Sequence, residues 1–419
     1  MFNLYFDESS HDRAITYKKD QGLNIYFPFK NDLFVGFFWG FKEENELRYQ
    51  HQYSVIEKYL KSLYGLNENQ EFKGSIVKQK NFEFGFNSFK PNTLKVYSQL
   101  FDFLDNEDFI FHLHLYSKTE YLITQYFRKV EINIIFGEIN KKAFIYSIIK
   151  FLFNYRNENF LAELFSNDIS SPVEVIEKLK SILETVINNI TNVKRKEKEI
   201  PALKEMLIIL NNSNIIANPK EKYKWAYEPV FIGLSKLLKE RGININTINL
   251  RIDPEGTNSI VNTARKQGFN SVSDDEDSSE NGLIRVADLV SNLFYRLTLA
   301  LQESLKEEPF VNPKEHDYAT KHILNKNWFD IENEEVYQLY VSLNRILKIN
   351  GRNYWTIFSG IYFDYALLTV SLLEYFSEKY KSYNDFISVE AKEHAEYFNT
   401  FLSEKIQKEF EMEFSNVYK

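Results

Sequence analysis

The chain has 419 residues, a formal net charge of −8 and no cysteine. The missing cysteine rules out disulfides, thiolate zinc sites and a cysteine nucleophile. The acidic balance excludes an overall basic surface for non-specific duplex binding and leaves a nucleic acid only a local groove and bridging cations.

At 44% hydrophobic and 26% charged residues, with 37 Phe and 27 Tyr, the composition is that of an ordinary soluble globular protein. Its length suits two or three domains, or one large elaborated one. There is no signal-peptide pattern and no apolar run of about 18 residues, so the chain reads as cytosolic, without a membrane partner.

Residues 2–6 read as a strand that runs into Asp7-Glu8-Ser9-Ser10. Further strands are expected at 24–29 and 33–41, the second an almost unbroken apolar run suited to a sheet interior. Helical spacing follows over 45–64, with Tyr53, Ile56, Tyr59, Leu60 and Leu63 recurring at three and four and Gly65 as the stop. After the short segment Glu71-Phe72-Lys73-Gly74, a helix is expected at 92–106 and a strand at 109–116. The stretch 118–223 is helical in pattern with little strand signal, and 192–199 carries both charge signs, as a solvated linker or helix end does. Alternation resumes with a helix at 227–241, a turn at Gly242, a strand at 245–252 and a turn beginning at Asp253. Residues 273–280 form an acidic loop that feeds a helix at 283–307, and the remainder reads as mostly helical. No internal repeat is found. The expected division is therefore a core at 1–117 and 226–307, a helical insertion at 118–225 and a C-terminal helical region at 308–419.

Carboxylates recur where these core elements end. On the first strand Asn3, Tyr5 and Asp7 share one face; on the later strand Asn249, Arg251 and Asp253 do. If the two strands lie side by side and parallel, Asp7 and Asp253 are neighbours, and like charges that close need a cation between them. Magnesium or manganese, hard cations that prefer carboxylate and water, suit such a site. Asp288 lies on the polar stripe of the 283–307 helix, with Arg285, Asn292 and Tyr295, opposite an apolar stripe of Val286, Leu289, Val290, Leu293 and Leu297. Glu71 and Lys73 point the same way in an extended segment, and a carboxylate beside an ammonium could bind metal and stabilise phosphate charge. Plainer readings stand beside these: turn or cap roles for Asp7 and Asp253, a solvated first-turn position for Asp288, and an exposed ion pair for Glu71 and Lys73. Glu8 alternates away from Asp7. His112 and His114 share a strand face but supply too few ligands for zinc. The acidic loop lacks calcium-loop spacing. Lys194, Arg195, Lys196 and Lys198 are interleaved with Glu197 and Glu199. No nucleophile elbow, phosphate loop or dinucleotide fingerprint is present.

Three motifs in order resemble the bacterial domain-of-unknown-function 3800 family: Phe6-Asp7-Glu8-Ser9, Glu71-Phe72-Lys73, and Gly282-Leu283-Ile284-Arg285-Val286-Ala287-Asp288-Leu289-Val290. The resemblance covers about residues 1–116 and 226–300. It implies an α/β, ribonuclease-H-like mixed-sheet core in which acids on the first strand, a later strand and a final helix hold divalent metal. Carried over, Asp7, Asp253 and Asp288 would be the ligands, Glu71 a fourth, and Lys73 an accessory cation. Asp253 is matched by strand position rather than by motif, and Ser10 stands where the family often has Gly. A metal-dependent nuclease acting on DNA or RNA follows as the leading expectation, with a role in phage defence implied by the family's frequent genomic neighbours and the helical regions available to a protein partner. The alternatives are a non-catalytic sensor on the same scaffold, favoured by the negative charge and by the lack of a carboxylate on strand 109–116, and a toxin-like effector that needs a partner.

Overall fold

A computed structural model describes residues 1–9, 15–18, 22–25, 32–129, 132–134, 141–166, 171–215, 227–253, 259–274, 281–305, 323–348, 353–357 and 364–414. The first strand, β1 (Phe2–Ser9), is followed by two short strands, β2 (Tyr17–Lys18) and β3 (Gly22–Leu23), and by β4 (Leu33–Lys42). Helices α1 (Glu46–Tyr64) and α2 (Pro91–Leu104) lead to β5 (Ile110–Ser117). Then come α3 (Lys118–Lys129), β6 (Ile132–Ile134), α4 (Lys141–Asn154), α5 (Glu158–Ser166), α6 (Pro172–Ile190), α7 (Glu199–Asn211) and β7 (Ser213–Ile215). Next are α8 (Glu228–Glu240), β8 (Ile248–Ile252), α9 (Ser259–Arg265), β9 (Ser271–Ser273) and α10 (Gly282–Ser304). The chain closes with α11 (Glu334–Lys348), β10 (Asn353–Ile357), α12 (Asp364–Glu378), α13 (Tyr383–Ile387) and α14 (Ala391–Phe414).

The architecture is α/β around a mixed six-stranded sheet in the order β10-β5-β4-β1-β8-β9. Only β4 runs against its neighbours: it pairs antiparallel with β1 and with β5, while β8 pairs parallel with β1, β9 with β8, and β10 with β5. The C-terminal ends of β1, β5, β8 and β10 therefore share one edge of the sheet. Close approach at the centre depends on Gly40, where an added Cβ would fall 2.2 Å from the Asn3 carbonyl oxygen on β1.

Strand alternation sorts the side chains into two layers. Leu4, Phe6, Phe34, Phe38, Ile248 and Leu250 face α8 and α9. Tyr5, Val35, Phe37, Trp39, Phe111 and Leu113 face a larger layer built from α1, α2, α10, α11 and α12. Helices α4 to α7 form a separate apolar cluster with Leu122, Ile123 and Phe127 of α3.

The chain departs from the sequence reading in three places. The stretch 118–223 contains a two-stranded antiparallel ladder, β6 with β7; three residues per strand are too few for periodicity to reveal. The C-terminal region supplies an edge strand, β10, to the main sheet, and Trp328, Tyr340 and Phe376 share the core of α1, α2 and α10. Asn24 and Ile25 are bends rather than strand, and 26–31 lie outside the described residues. Among the described residues no helix is long and apolar enough to cross a membrane.

His112 and His114 on β5 are buried to 0% and 1% exposure. They flank Thr356 of β10, whose hydroxyl lies 2.9 Å from His114 Nδ1 and 3.4 Å from His112 Nε2. Burial lowers both pKa values, that of His114 to about 3. These imidazoles stay neutral in the fold but titrate near 6.5 once exposed, so below that pH the unfolded chain binds protons the folded chain does not. Stability then falls with acidification at up to about 1.4 kcal/mol per pH unit for each histidine. Urea unfolding followed between pH 7 and 4 should show a shallower acid loss for His114→Gln than for the native chain; equal slopes would contradict the assignment.

Candidate metal-dependent active site

The parallel register of β1 and β8 pairs their polar faces rung by rung. Asn3 stands opposite Asn249, and Asn249 Nδ2 donates to Asn3 Oδ1 at 3.0 Å. Tyr5 stands opposite Arg251, whose guanidinium lies 5.6 Å from the Tyr5 ring centroid. Glu46, at the start of α1, ties this rung down: its carboxylate accepts from the Tyr5 hydroxyl at 2.8 Å and from Asn3 Nδ2 at 2.8 Å, and pairs with Arg251 at 2.8 Å. The ladder ends at Phe6 opposite Ile252, one residue before Asp7 and Asp253. Two acids thus follow two rungs of attractive pairs, and the Asp253 charge acts on Asp7.

Helix α10 brings the third acid. It packs on the β1 face that carries Asp7, and the Ser291 and Ser9 hydroxyls are hydrogen-bonded at 3.0 Å. Asp288 is half-buried one turn before Ser291. Its Oδ2 accepts from the Gly74 N–H at 2.6 Å and its Oδ1 from Asn292 Nδ2 at 2.7 Å. Each oxygen keeps lone-pair capacity beyond those single bonds. A Cβ on Gly74 would fall 2.5 Å from Asn292 Cβ and 2.7 Å from its Cγ, so the absence of a side chain there lets one backbone N–H and one amide grip the same carboxylate.

The segment that carries Gly74 also delivers Glu71 and Lys73, paired at 2.9 Å. Its position is held from behind. Arg285 of α10 forms a two-pronged pair with Glu57 of α1, both contacts at 2.6 Å and both side chains 7% exposed, and Glu57 also accepts from the Phe72 N–H at 3.4 Å. Breaking such a buried pair from one side costs about 3–5 kcal/mol. Glu57 and Arg285 thereby lock α1, α10 and the 71–74 segment into one frame.

The electrostatics report the convergence. Asp7 is pushed well above the usual carboxylate range by burial, then by the charges of Asp288 and Asp253, while the Glu8 N–H bonded to its Oδ1 at 2.6 Å pulls the other way. Asp288 is raised by burial and by Asp253, against the lowering effects of the Gly74 N–H and of Lys73. Lys73 is raised chiefly by its bond to Glu71 and further by Asp253 and Asp288. Two carboxylates about 5 Å apart repel by roughly 3 kcal/mol at an effective dielectric of 20. That cost disappears when a proton or a cation lies between them.

Asp7, Asp253, Asp288 and Lys73 are thus in mutual electrostatic reach, with Glu71 joined to them through Lys73. Glu8 points the other way and accepts from the Tyr227 hydroxyl at 3.4 Å. His112 and His114 lie elsewhere in the sheet, on β5. Lys196 is turned to Glu199 at 2.7 Å and to the Tyr155 ring; the Arg195 side chain lies outside the described residues, as do 275–280 of the acidic loop. Among the described residues no three His, Cys, Asp or Glu side chains form a ready-made metal-holding group. The donors that do converge are carboxylate oxygens alone, and their chemistry fits a hard divalent cation completed by water or substrate oxygen.

The sequence pattern set Asn292 and Arg285 on the polar stripe beside Asp288, without Asn292's bond to the carboxylate, the part of Ser291 or the pairing of Arg285 with Glu57. The four-residue spacing of Asp288 and Asn292 on one helix face is the signal that could have shown their bond. Gly74 follows Glu71-Phe72-Lys73 directly, yet its role depends on a helix more than two hundred residues away. Comparison with known proteins yields no matching family model, no similar curated protein and no similar solved structure.

Gly74→Ala should destabilise the chain by about 1–3 kcal/mol through overpacking against Asn292. Adding Asn292→Gly, which removes the clashing Cβ, should return part of that loss, a coupling of about 1 kcal/mol or more in a thermal-denaturation cycle. Strict additivity would show that the two residues do not meet.

Proposed function

We propose that the chain is a metal-dependent nuclease that hydrolyses phosphodiester bonds of DNA or RNA on a ribonuclease-H-like core. One observation carries the reading: Asp7 of β1, Asp253 just after β8 and Asp288 of α10 lie within electrostatic reach of one another, with Lys73 in reach of the last two. That layout agrees with the resemblance to the domain-of-unknown-function 3800 family, whose three motifs contain Asp7, Glu71, Lys73 and Asp288.

In this reading Asp7, Asp253 and Asp288 would hold magnesium or manganese, with Glu71 in support. A divalent ion there supplies a Lewis acid and makes water a better nucleophile at neutral pH. The protein's own groups do the rest. Gly74 and Asn292 fix the direction of the Asp288 carboxylate, and the β1–β8 ladder ends directly before Asp7 and Asp253. The Lys73 side chain, 45% exposed and beside Glu71, is placed to offset negative charge on a phosphate. The net charge of −8 confines nucleic-acid attraction to this patch and its cations.

Cleavage of labelled single- and double-stranded DNA and RNA in magnesium or manganese tests the reading. Asp7→Asn and Asp288→Asn should each lower the rate by roughly a hundredfold or more, and Asn292→Ala by roughly tenfold to a hundredfold, as loss of a ligand's supporting bond does. Cleavage undiminished in both aspartate variants would reject the site.

One observation favours a second reading, a non-catalytic sensor on the same scaffold: no ready-made metal-holding trio is formed among the described residues. Isothermal titration of chelator-stripped protein separates the two. The nuclease reading expects magnesium or manganese binding that Asp7→Asn weakens; absence of binding would support the sensor.

A further inference from the structure

Along α10, Asp288, Asn292, Arg296, Ala300 and Ser304 follow one another at intervals of four, a single ridge of the helix. Arg296 stands about 12 Å along that ridge from Asp288. Its guanidinium is half-buried and forms no ion pair or side-chain hydrogen bond among the described residues, and its Nε is shielded from solvent without a partner. A guanidinium whose Nε–H is shielded from solvent and unmatched is costly, and arginines in such positions are ordinarily matched by a carboxylate.

The surroundings repeat the pattern. Burial lowers the Arg296 pKa, against Tyr97, Tyr295 and Asp288 within electrostatic reach. The Tyr97 hydroxyl is fully buried and unpartnered. Gln79 donates from Nε2 to the Arg296 carbonyl at 3.0 Å, while its Oε1 has no partner. Gln79, Ala300 and Ser304 then line a groove of about 490 Å³ that continues the ridge. Glu83 and Glu303 at that far end repel phosphate and Lys80 offsets one of them, so the groove itself is net acidic and Arg296 is the cation at its Asp288 side.

We propose that Arg296 grips a backbone phosphate of the nucleic-acid strand on the flank of the reacting centre, beyond the 74–79 segment that packs over α10 between Asp288 and Arg296. This rests on the nuclease reading. Guanidinium and phosphate match two donors to two oxygens, a contact that positions a strand without reading its sequence. Arg296 is a positioning residue: it aligns the strand and touches no reacting atom. The rival role is internal, a distant counter-charge for Asp288 alone.

The test uses the full-length chain carrying Asp7→Asn to suppress cleavage, with fluorescein-labelled twelve-nucleotide single strands of DNA and of RNA as probes. Anisotropy titrations from 50 to 200 mM salt should show Arg296→Gln binding about tenfold more weakly, the loss of one charge-assisted contact, with a log–log salt slope shallower by about 0.7–0.9. Arg296→Lys should keep most of the slope. Strands with a single neutral methylphosphonate at successive positions should lose affinity at one position near the cleavage point for the Arg296 protein, and that position should become indifferent in Arg296→Gln. The scan with unaltered Arg296 decides the matter even if Arg296→Gln fails to fold: no sensitive position overturns the proposal. Unchanged affinity and slope in Arg296→Gln would likewise overturn it, while metal-dependent cleavage by the native chain left the nuclease reading standing. A native chain that neither binds nor cleaves any strand would remove both.

Discussion

The parallel ladder of β1 with β8 ends at Phe6 opposite Ile252, directly before two carboxylates, Asp7 and Asp253, and the molecule around that end of the ladder is arranged to tolerate the repulsion. The rungs beneath it are attractive: amide to amide at Asn3 and Asn249, guanidinium over ring at Arg251 and Tyr5. Glu46 gathers both through charge-assisted bonds. The register cannot slip by one residue without sending the polar face into the apolar layer under α8 and α9. Repulsion at the end of the ladder is therefore borne by strands already committed to their alignment.

The same logic governs the approach of α10. Its apolar stripe buries Leu283, Val286, Leu289, Val290 and Leu293 against the sheet, and that burial carries Asp288 towards Asp7 whatever the charges prefer. Full burial of one such side chain is worth about 1.5–3 kcal/mol, so several together outweigh a carboxylate–carboxylate repulsion of roughly 3 kcal/mol. Directional bonds then set the orientation. Gly74, Asn292 and Ser291 fix the helix face against the strand end and the 71–74 segment, and the buried Glu57–Arg285 pair keeps that segment from drifting.

Much of this was legible along the chain. The alternation in β1, β4, β5 and β8 and the three-and-four spacing in α1, α2, α8 and α10 are strong local signals, and the structure has those elements within a few residues of where the patterns place them. Asp7, Asp253 and Asp288 could be picked out because an acid at the end of an apolar element is conspicuous. The weak signals were the short ones. Strands β6, β7 and β9 have three residues each, too few for alternation to stand out, and β10 lies in a stretch whose surroundings are helical. Gly74 and Arg285 were visible as residues but not as parts, since their partners Asn292 and Glu57 lie more than two hundred positions away.

Local pattern was enough to define which segments fold as strand or helix, which face of each turns inward, and which acids stand at their ends, because those properties depend on neighbours a few residues apart. Proximity across the chain was decided elsewhere. That Asp7 and Asp253 come within electrostatic reach follows from a parallel pairing between segments 246 residues apart, and that Asp288 joins them follows from how α10 packs on the sheet. Parallel pairing needs a long crossover, and helix packing needs a finished sheet, so neither can be read from any one stretch. The Arg296 guanidinium is the sharpest instance: in the sequence it is an ordinary charged residue on an amphipathic helix, and only the packed fold shields its Nε without a hydrogen-bond partner among the described residues.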